Sequence, residues 1–337
     1  MNVEPSTHRF ASTALGVALL LVLCGATFGA EAATAQSGAR TAPPPASPLD
    51  KPVSEALKKF QDGDARGALA LLEPHRDEMV KVPPLLNLLA TLYVEGGKPA
   101  EADALLAPLA AQDDADPATL YNAGRAAAAL GRIADAAKLY ERSVAKEPAS
   151  PASRELGLLL SRQGQVVEAY RRLRPWSLRS PRDVEARTAT AILALQLERP
   201  WEADQMLDGL SPTDGALILL RAKSAVQKGE GKTALAILTP IAENHPIGID
   251  LEVRKTLAEA HLAAGDAPRA VAALAGKATG VPTLALILGK AQRLSGDATA
   301  ARATLEPFIA KLPTTEEAAN AIGDPRPAAG IALEWGH

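Results

Sequence analysis

From Asp50 onward, small and apolar positions alternate with polar ones in a pattern that returns about every 34 residues. A turn glycine marks each return, at Gly63, Gly97, Gly131, Gly164, Gly229, Gly265 and Gly296, and Glu198 fills the same phase once. Seven residues before each stands a small residue: Ala56, Ala90, Gly124, Gly157, Ala191, Ala222, Ala258 and Gly289. Five residues after each stands an alanine: Ala68, Ala102, Ala136, Ala169, Ala203, Ala234, Ala270 and Ala301. Four further on comes a large apolar residue: Leu72, Leu106, Tyr140, Leu173, Leu207, Leu238, Leu274 and Leu305. The spacing predicts two helices per repeat. The glycine ends the first in a left-handed backbone conformation. The small residue of the first helix is expected to face the alanine of the second, so that the two approach closely. The leucine, one turn along on the same face, fills the layer. Pro148, Pro181, Pro246, Pro282 and Pro313 are expected to close five repeats, since proline cannot continue the backbone ladder.

The spacing resembles that of the tetratricopeptide repeat. Pro117 to Ser150, PATLYNAGRAAAALGRIADAAKLYERSVAKEPAS, matches best, with Gly124, Gly131, Ala136, Tyr140 and Pro148 at the family's phases. The resemblance covers about eight repeats over residues 49–313. It implies an all-α fold, a right-handed α-solenoid. The aromatic residues usual on the first helix are mostly missing, Tyr93 excepted, and the spacing slips around Glu198 and Gly229. Residues 314–337 read as a short capping helix followed by a loose tail.

One feature is peculiar to this chain. Six residues after the recurring alanine stand Pro74, Pro108, Pro175, Pro240 and Pro307, with Gly209 and Gly276 at that phase in two other repeats. An interior proline costs a helix about 3 kcal/mol unless it bends or restarts. The second helices are therefore expected to kink or break there.

The N-terminal segment has a different character. Phe10 to Ala30 carries no charge, its apolar centre is Ala14 to Leu23, and Ala30-Glu31-Ala32 has the small-x-small form of a cleavage site. Residues 1–32 read as a secretory signal peptide. An uncleaved membrane anchor fits the same run, which is long enough to span a bilayer. So does a lipoprotein box at Cys24, although Leu23 is a poor fit before that cysteine. Each reading puts the rest of the chain outside the cytoplasm, periplasmic or secreted, with membrane association possible through this segment. Residues 33–48, with three consecutive prolines, form an extended linker.

Composition narrows the chemistry. Of 337 residues, 47% are hydrophobic, 22% charged and 3% aromatic. The length suggests two domains, but stacked repeats have no internal boundary. A net charge of −3 offers no long-range attraction to nucleic acid. One cysteine excludes a disulfide framework and a cysteine zinc site. His75, His245 and His261 lie in different repeats, so no helical metal pair is expected. Gly229-Glu230-Gly231-Lys232-Thr233 ends like a phosphate-binding loop, but Val226 stands where the motif needs glycine and a helix precedes it. Asp113, Asp114 and Asp116 read as caps of a solvated turn. Arg171, Arg172, Arg174, Arg179 and Arg182 around Trp176 read as a solvated helix end or as a partner or membrane contact. No catalytic, cofactor or metal residues are expected.

The resemblance implies a non-enzymatic scaffold or adaptor of the cell envelope that holds a peptide or protein in its concave groove. The other reading is a structural subunit of an envelope-assembly, secretion or polysaccharide-export complex that packs through its convex face or ends. The family's groove offsets, applied here, select Asn87, Thr91, Tyr121, Arg125, Arg154, Arg162, Lys223, Lys255, Glu259, Lys290 and Arg293, and Asn122, at the asparagine phase of the family's clamp, joins them as a candidate groove residue. The family's clamp for a C-terminal carboxylate is not reproduced, because Pro151 and Glu155 stand at its basic phases. Basic residues outnumber acidic ones in the set; they read either as ordinary solvated helix charges or as a groove that draws an acidic or phosphorylated partner segment or an anionic polymer.

Overall fold

A computed structural model describes residues 48–244, 251–278, 280–309 and 330. The signal peptide, nearly all of the linker, Pro246, Pro313 and the capping helix lie outside these residues. So does the expected tail, apart from Gly330. Gly330 is helical and lies against Leu286, with an added Cβ only 2.5 Å from Leu286 Cδ2, so at this residue the chain is packed rather than loose. Among the described residues every regular element is a helix, and no helix is long and apolar enough to cross a membrane.

The chain divides into two compact units, Met1–Gln163 and Gly164–His337. The division falls inside the fourth repeat.

The first unit holds three hairpins and the first helix of a fourth: α1 (Asp50–Gln61), α2 (Ala65–Leu72), α3 (Arg76–Met79), α4 (Pro83–Glu95), α5 (Pro99–Ala110), α6 (Pro117–Ala129), α7 (Ile133–Lys146) and α8 (Ala152–Arg162). The second unit holds α9 (Val166–Arg179), α10 (Val184–Gln196), α11 (Pro200–Leu207), α12 (Gly215–Gln227), α13 (Gly231–Asn244), α14 (Leu251–Ala263), α15 (Ala267–Leu274), α16 (Pro282–Leu294) and α17 (Ala298–Ile309).

One turn recurs in both units. The residue after the turn glycine donates its N–H to the carbonyl five residues earlier: Lys98 to Tyr93 at 2.7 Å, Arg132 to Ala127 at 2.9 Å, Asp266 to His261 at 2.8 Å. This closes the exposed carbonyls of the first helix and requires a positive φ at the glycine position. Gly97 has φ 81°. Glu198 adopts the same state at φ 57°, with Arg199 donating to Ala194 at 2.8 Å, so the motif overrides the residue's own preference. In three turns the next residue is an aspartate that caps the second helix: Asp64 accepts from Gly67, Asp266 from Arg269 and Asp297 from Ala300. Asp116 caps α6 in the same way, as expected for the acidic loop.

The recurring alanines and the leucine-phase residues are buried, as are the small residues of the first helices. Their partnership differs from the expectation. A Cβ on Gly124 would meet the ring of Tyr140, and one on Gly289 would meet Leu305, so in these two hairpins the large apolar residue stands nearest the small one. The large side chain needs the depth that the missing bulk leaves.

The prolines divide into two groups. At Pro74 the second helix of the first hairpin breaks into a 3-10 turn, Glu73–His75, and resumes as α3. At Gly209 and Gly276 it ends, both glycines having positive φ. Pro108, Pro175, Pro240 and Pro307 instead lie inside continuous helices, against the expected break. All four rings are on the exposed face. Exposure alone does not decide the outcome, since Pro74 is exposed as well and breaks its helix. Pro282 also departs from its expected role, since it opens α16 in place of closing the preceding repeat.

Candidate functional site

The groove positions lie on the first helices of the hairpins. In the first unit the repeat brings α4 and α6 side by side. Asn122 Nδ2 donates to Asn87 Oδ1 at 3.0 Å, and Asn87 Nδ2 donates to Thr119 Oγ1 at 3.3 Å. Thr91 Oγ1 lies 3.2 Å from Asn122 Oδ1 and also donates to the Asn87 carbonyl at 2.9 Å. The Thr119 hydroxyl donates to Asp116. All four of Asn87, Thr91, Thr119 and Asn122 are buried, so these bonds align the two helices in register and satisfy each amide.

Above this ladder Arg125 pairs with Glu95, and its guanidinium lies 5.8 Å from the centroid of the Tyr121 ring. Tyr121 in turn packs against Tyr140 with centroids 6.2 Å apart. Burial pushes the Tyr121 phenol up to about 12, with Arg125 acting in the opposite sense. Arg154 binds its neighbour Glu155 at 2.8 Å, and Arg162 is exposed.

In the second unit Lys223 on α12 reaches Glu252 on α14 at 2.7 Å, and Lys255 lies 3.9 Å from the same carboxylate. Glu259 is half-buried; burial raises its carboxyl, opposed by Lys255 and Lys223. Lys290 is exposed and Arg293 half-buried at the end of α16.

Thus Asn87, Thr91 and Asn122 come together, as do Tyr121 and Arg125, and as do Lys223, Lys255 and Glu259. Glu95, Glu252 and Thr119 complete these clusters although they lie off the family's groove offsets. Their signal is a separation of one repeat less about one turn: Glu95 to Arg125 spans 30 residues and Lys223 to Glu252 spans 29. Of the basic groove residues, Arg125 and Lys223 therefore meet carboxylates of a neighbouring first helix, while Arg154 and Lys255 meet carboxylates of their own helix.

The remaining motifs are structural. Gly231 opens α13, and an added Cβ there would lie 2.3 Å from the Ala264 nitrogen, so the Gly229–Thr233 segment is a packed inter-helix turn and not a phosphate loop. Trp176 is buried and donates to Asp183 at 2.9 Å, while Arg171 and Arg172 both pair with Glu168. His261 has its imidazole pKa lowered by burial, and His245 lies outside the described residues. Among the described residues no group of three or more His, Cys, Asp or Glu could hold a metal ion.

The family model of the tetratricopeptide repeat matches residues 117–142 and 282–307. No curated protein matches the chain. Among solved structures, the chain is similar to a tetratricopeptide repeat protein from Parabacteroides merdae, at 14% identity and TM-score 0.45, over 85% of this chain and 98% of that one. It is also similar to the C-terminal part of a TPR repeat-containing protein from Cytophaga hutchinsonii, at 15% identity and TM-score 0.41, over 71% of this chain and 100% of that one. Both likenesses are too distant to say more than that. The two matched spans are the third and eighth hairpins, and the same glycine, alanine and leucine phases run through the others. Such hairpins build scaffolds for protein–protein contact. The chain thus carries tetratricopeptide repeats, matched by the family model at its third and eighth hairpins.

Proposed function

We propose that the chain is a non-enzymatic adaptor that holds a segment of a protein partner along the first-helix face of its hairpins, outside the cytoplasm. The observation that supports this most is the placement of polar side chains from successive first helices beside one another, as in Arg125 with Glu95 and Lys223 with Glu252. Rows of this kind offer donors and acceptors at a fixed spacing along an extended segment. The buried Asn87–Asn122 ladder holds the spacing without conformational cost on binding. An acidic segment would engage the exposed Lys290 and compete with Glu95 and Glu252 for Arg125 and Lys223. The extracytoplasmic site rests on the apolar run from Phe10 to Ala30.

Affinity capture from an envelope fraction, read by mass spectrometry, identifies the partner. Arg125, Lys223 and Lys290 are then reversed together to glutamate. A slower association with weaker salt dependence is expected. Unchanged rate and unchanged salt dependence would remove the first-helix face from the binding account. The mass of the mature N-terminus tests location: a start near Ala33 agrees with a signal peptide, a lipidated Cys24 with a lipoprotein, and an intact Met1 with an anchor.

A further inference from the structure

A second surface lies in the second unit, on helices α9 and α11, away from the groove positions. These are the second helices of consecutive hairpins, and a cluster of polar contacts ties the middle of α9 to the start of α11. The Tyr170 hydroxyl donates to Glu202, and Arg174 Nε lies 2.7 Å from the same carboxylate. Arg199 stands 5.2 Å from the centroid of the Tyr170 ring and 3.4 Å from Glu202.

Two apolar side chains flank this cluster. Val167 precedes Tyr170 by about one turn, and Trp201 adjoins Glu202. They occupy the same position one repeat apart, the second residue of each helix. Trp201 is 71% exposed and Val167 60%, the two highest values among the large hydrophobic side chains described. Nothing in the hairpin fold requires an indole there, since the chain buries Trp176 elsewhere. The surrounding charge has one sign in excess. Arg171 and Arg172 share Glu168, and Arg174 and Arg199 share Glu202, so four guanidinium groups meet two carboxylates. Glu198 in the adjoining turn joins none of these ion pairs, and counting it still leaves a positive surplus. The Arg171 and Arg199 side chains are 72% and 51% exposed, with donors left for a further acceptor.

We propose that Trp201, Val167, Arg171 and Arg199 form a docking edge for an acidic segment of a protein partner that carries one large apolar side chain. The apolar residue would lie across Trp201 and Val167, and its acidic neighbours would meet the two arginines. Tryptophan and arginine are the residue types that carry most binding energy at such contacts. This edge is independent of the first-helix face and stands or falls separately from it.

The test uses the full chain and a labelled synthetic peptide with one phenylalanine between pairs of aspartates, followed by fluorescence anisotropy at low salt. Wild-type protein is expected to bind it, more weakly as salt rises. Trp201→Ala should weaken binding by about tenfold, and Arg171→Glu with Arg199→Glu by at least as much. The Arg125, Lys223 and Lys290 reversal should leave this binding unchanged. Trp201→Ala should keep the wild-type melting curve, since its side chain packs against little. No binding, or equal binding by the Trp201→Ala variant, overturns the proposal. So does binding to phosphatidylglycerol vesicles without binding to the peptide, which would make the edge a membrane contact.

Discussion

Gly124 on α6 lies directly against Tyr140 on α7: a Cβ at Gly124 would stand 2.5 Å from Tyr140 Cε1 and 2.7 Å from Cδ1. The hairpin closes only because the first helix has no side chain there. Gly124→Ala gains about 1 kcal/mol in helix propensity. It must also displace a buried ring, at a cost of about 1–3 kcal/mol. A net loss is expected in urea unfolding. The equivalent Gly289→Ala meets the Leu305 side chain at 3.0 Å, a milder approach, and should be closer to neutral. Equal effects at both sites would contradict this account of the hairpin contact.

Glu198 carries the strain of a glycine position. At φ 57° a residue with a side chain costs about 1 kcal/mol relative to glycine. Glu198→Gly should raise the stability of the second unit by up to that amount. A lower melting temperature in the variant would show that the carboxylate makes a contribution larger than the strain.

The Asn87–Asn122 bond is expected to behave as a coupled pair. Removing either amide leaves a buried partner without its bond, at about 1–3 kcal/mol. The double variant Asn87→Ala with Asn122→Ala should lose less than the sum of the single losses. Simple additivity in urea unfolding would mean that the two amides act separately.

All four tyrosines should resist ionisation. Burial is the leading cause at each: it pushes Tyr93 and Tyr121 up to about 12, Tyr140 beyond them, and raises Tyr170. The ordinary value is about 10. A raised phenol pKa favours the neutral form in the folded chain. Its stabilising contribution is complete below pH about 10 and is lost as pH rises through about 12. An absorbance titration should show no tyrosinate with a midpoint near 10 until the helical signal falls. A folded protein with one tyrosine titrating near 10 would place that ring in solvent.

The amino-acid sequence by itself determined the hairpin. Gly97 or Gly131 ends a helix because the turn needs a positive φ, and the need is local. Ala136 and Ala169 are buried because a fixed spacing from that turn places them on the inward face. Those relations span a few turns of chain and are visible in any repeat. Tertiary structure decided what depends on distance between repeats. The phases that name Arg125 and Lys223 as free basic positions do not contain Glu95 and Glu252, which reach them from the neighbouring hairpin. Whether Pro108 breaks its helix was not written in its phase, since Pro74, equally exposed one repeat earlier, does break one. Trp176 and Trp201 lie 25 residues apart and each follows an Arg-Pro pair, yet one is enclosed and the other open. The shared dipeptide does not tell the two apart; the packing of α9, α10 and α11 makes one a core residue and leaves the other exposed.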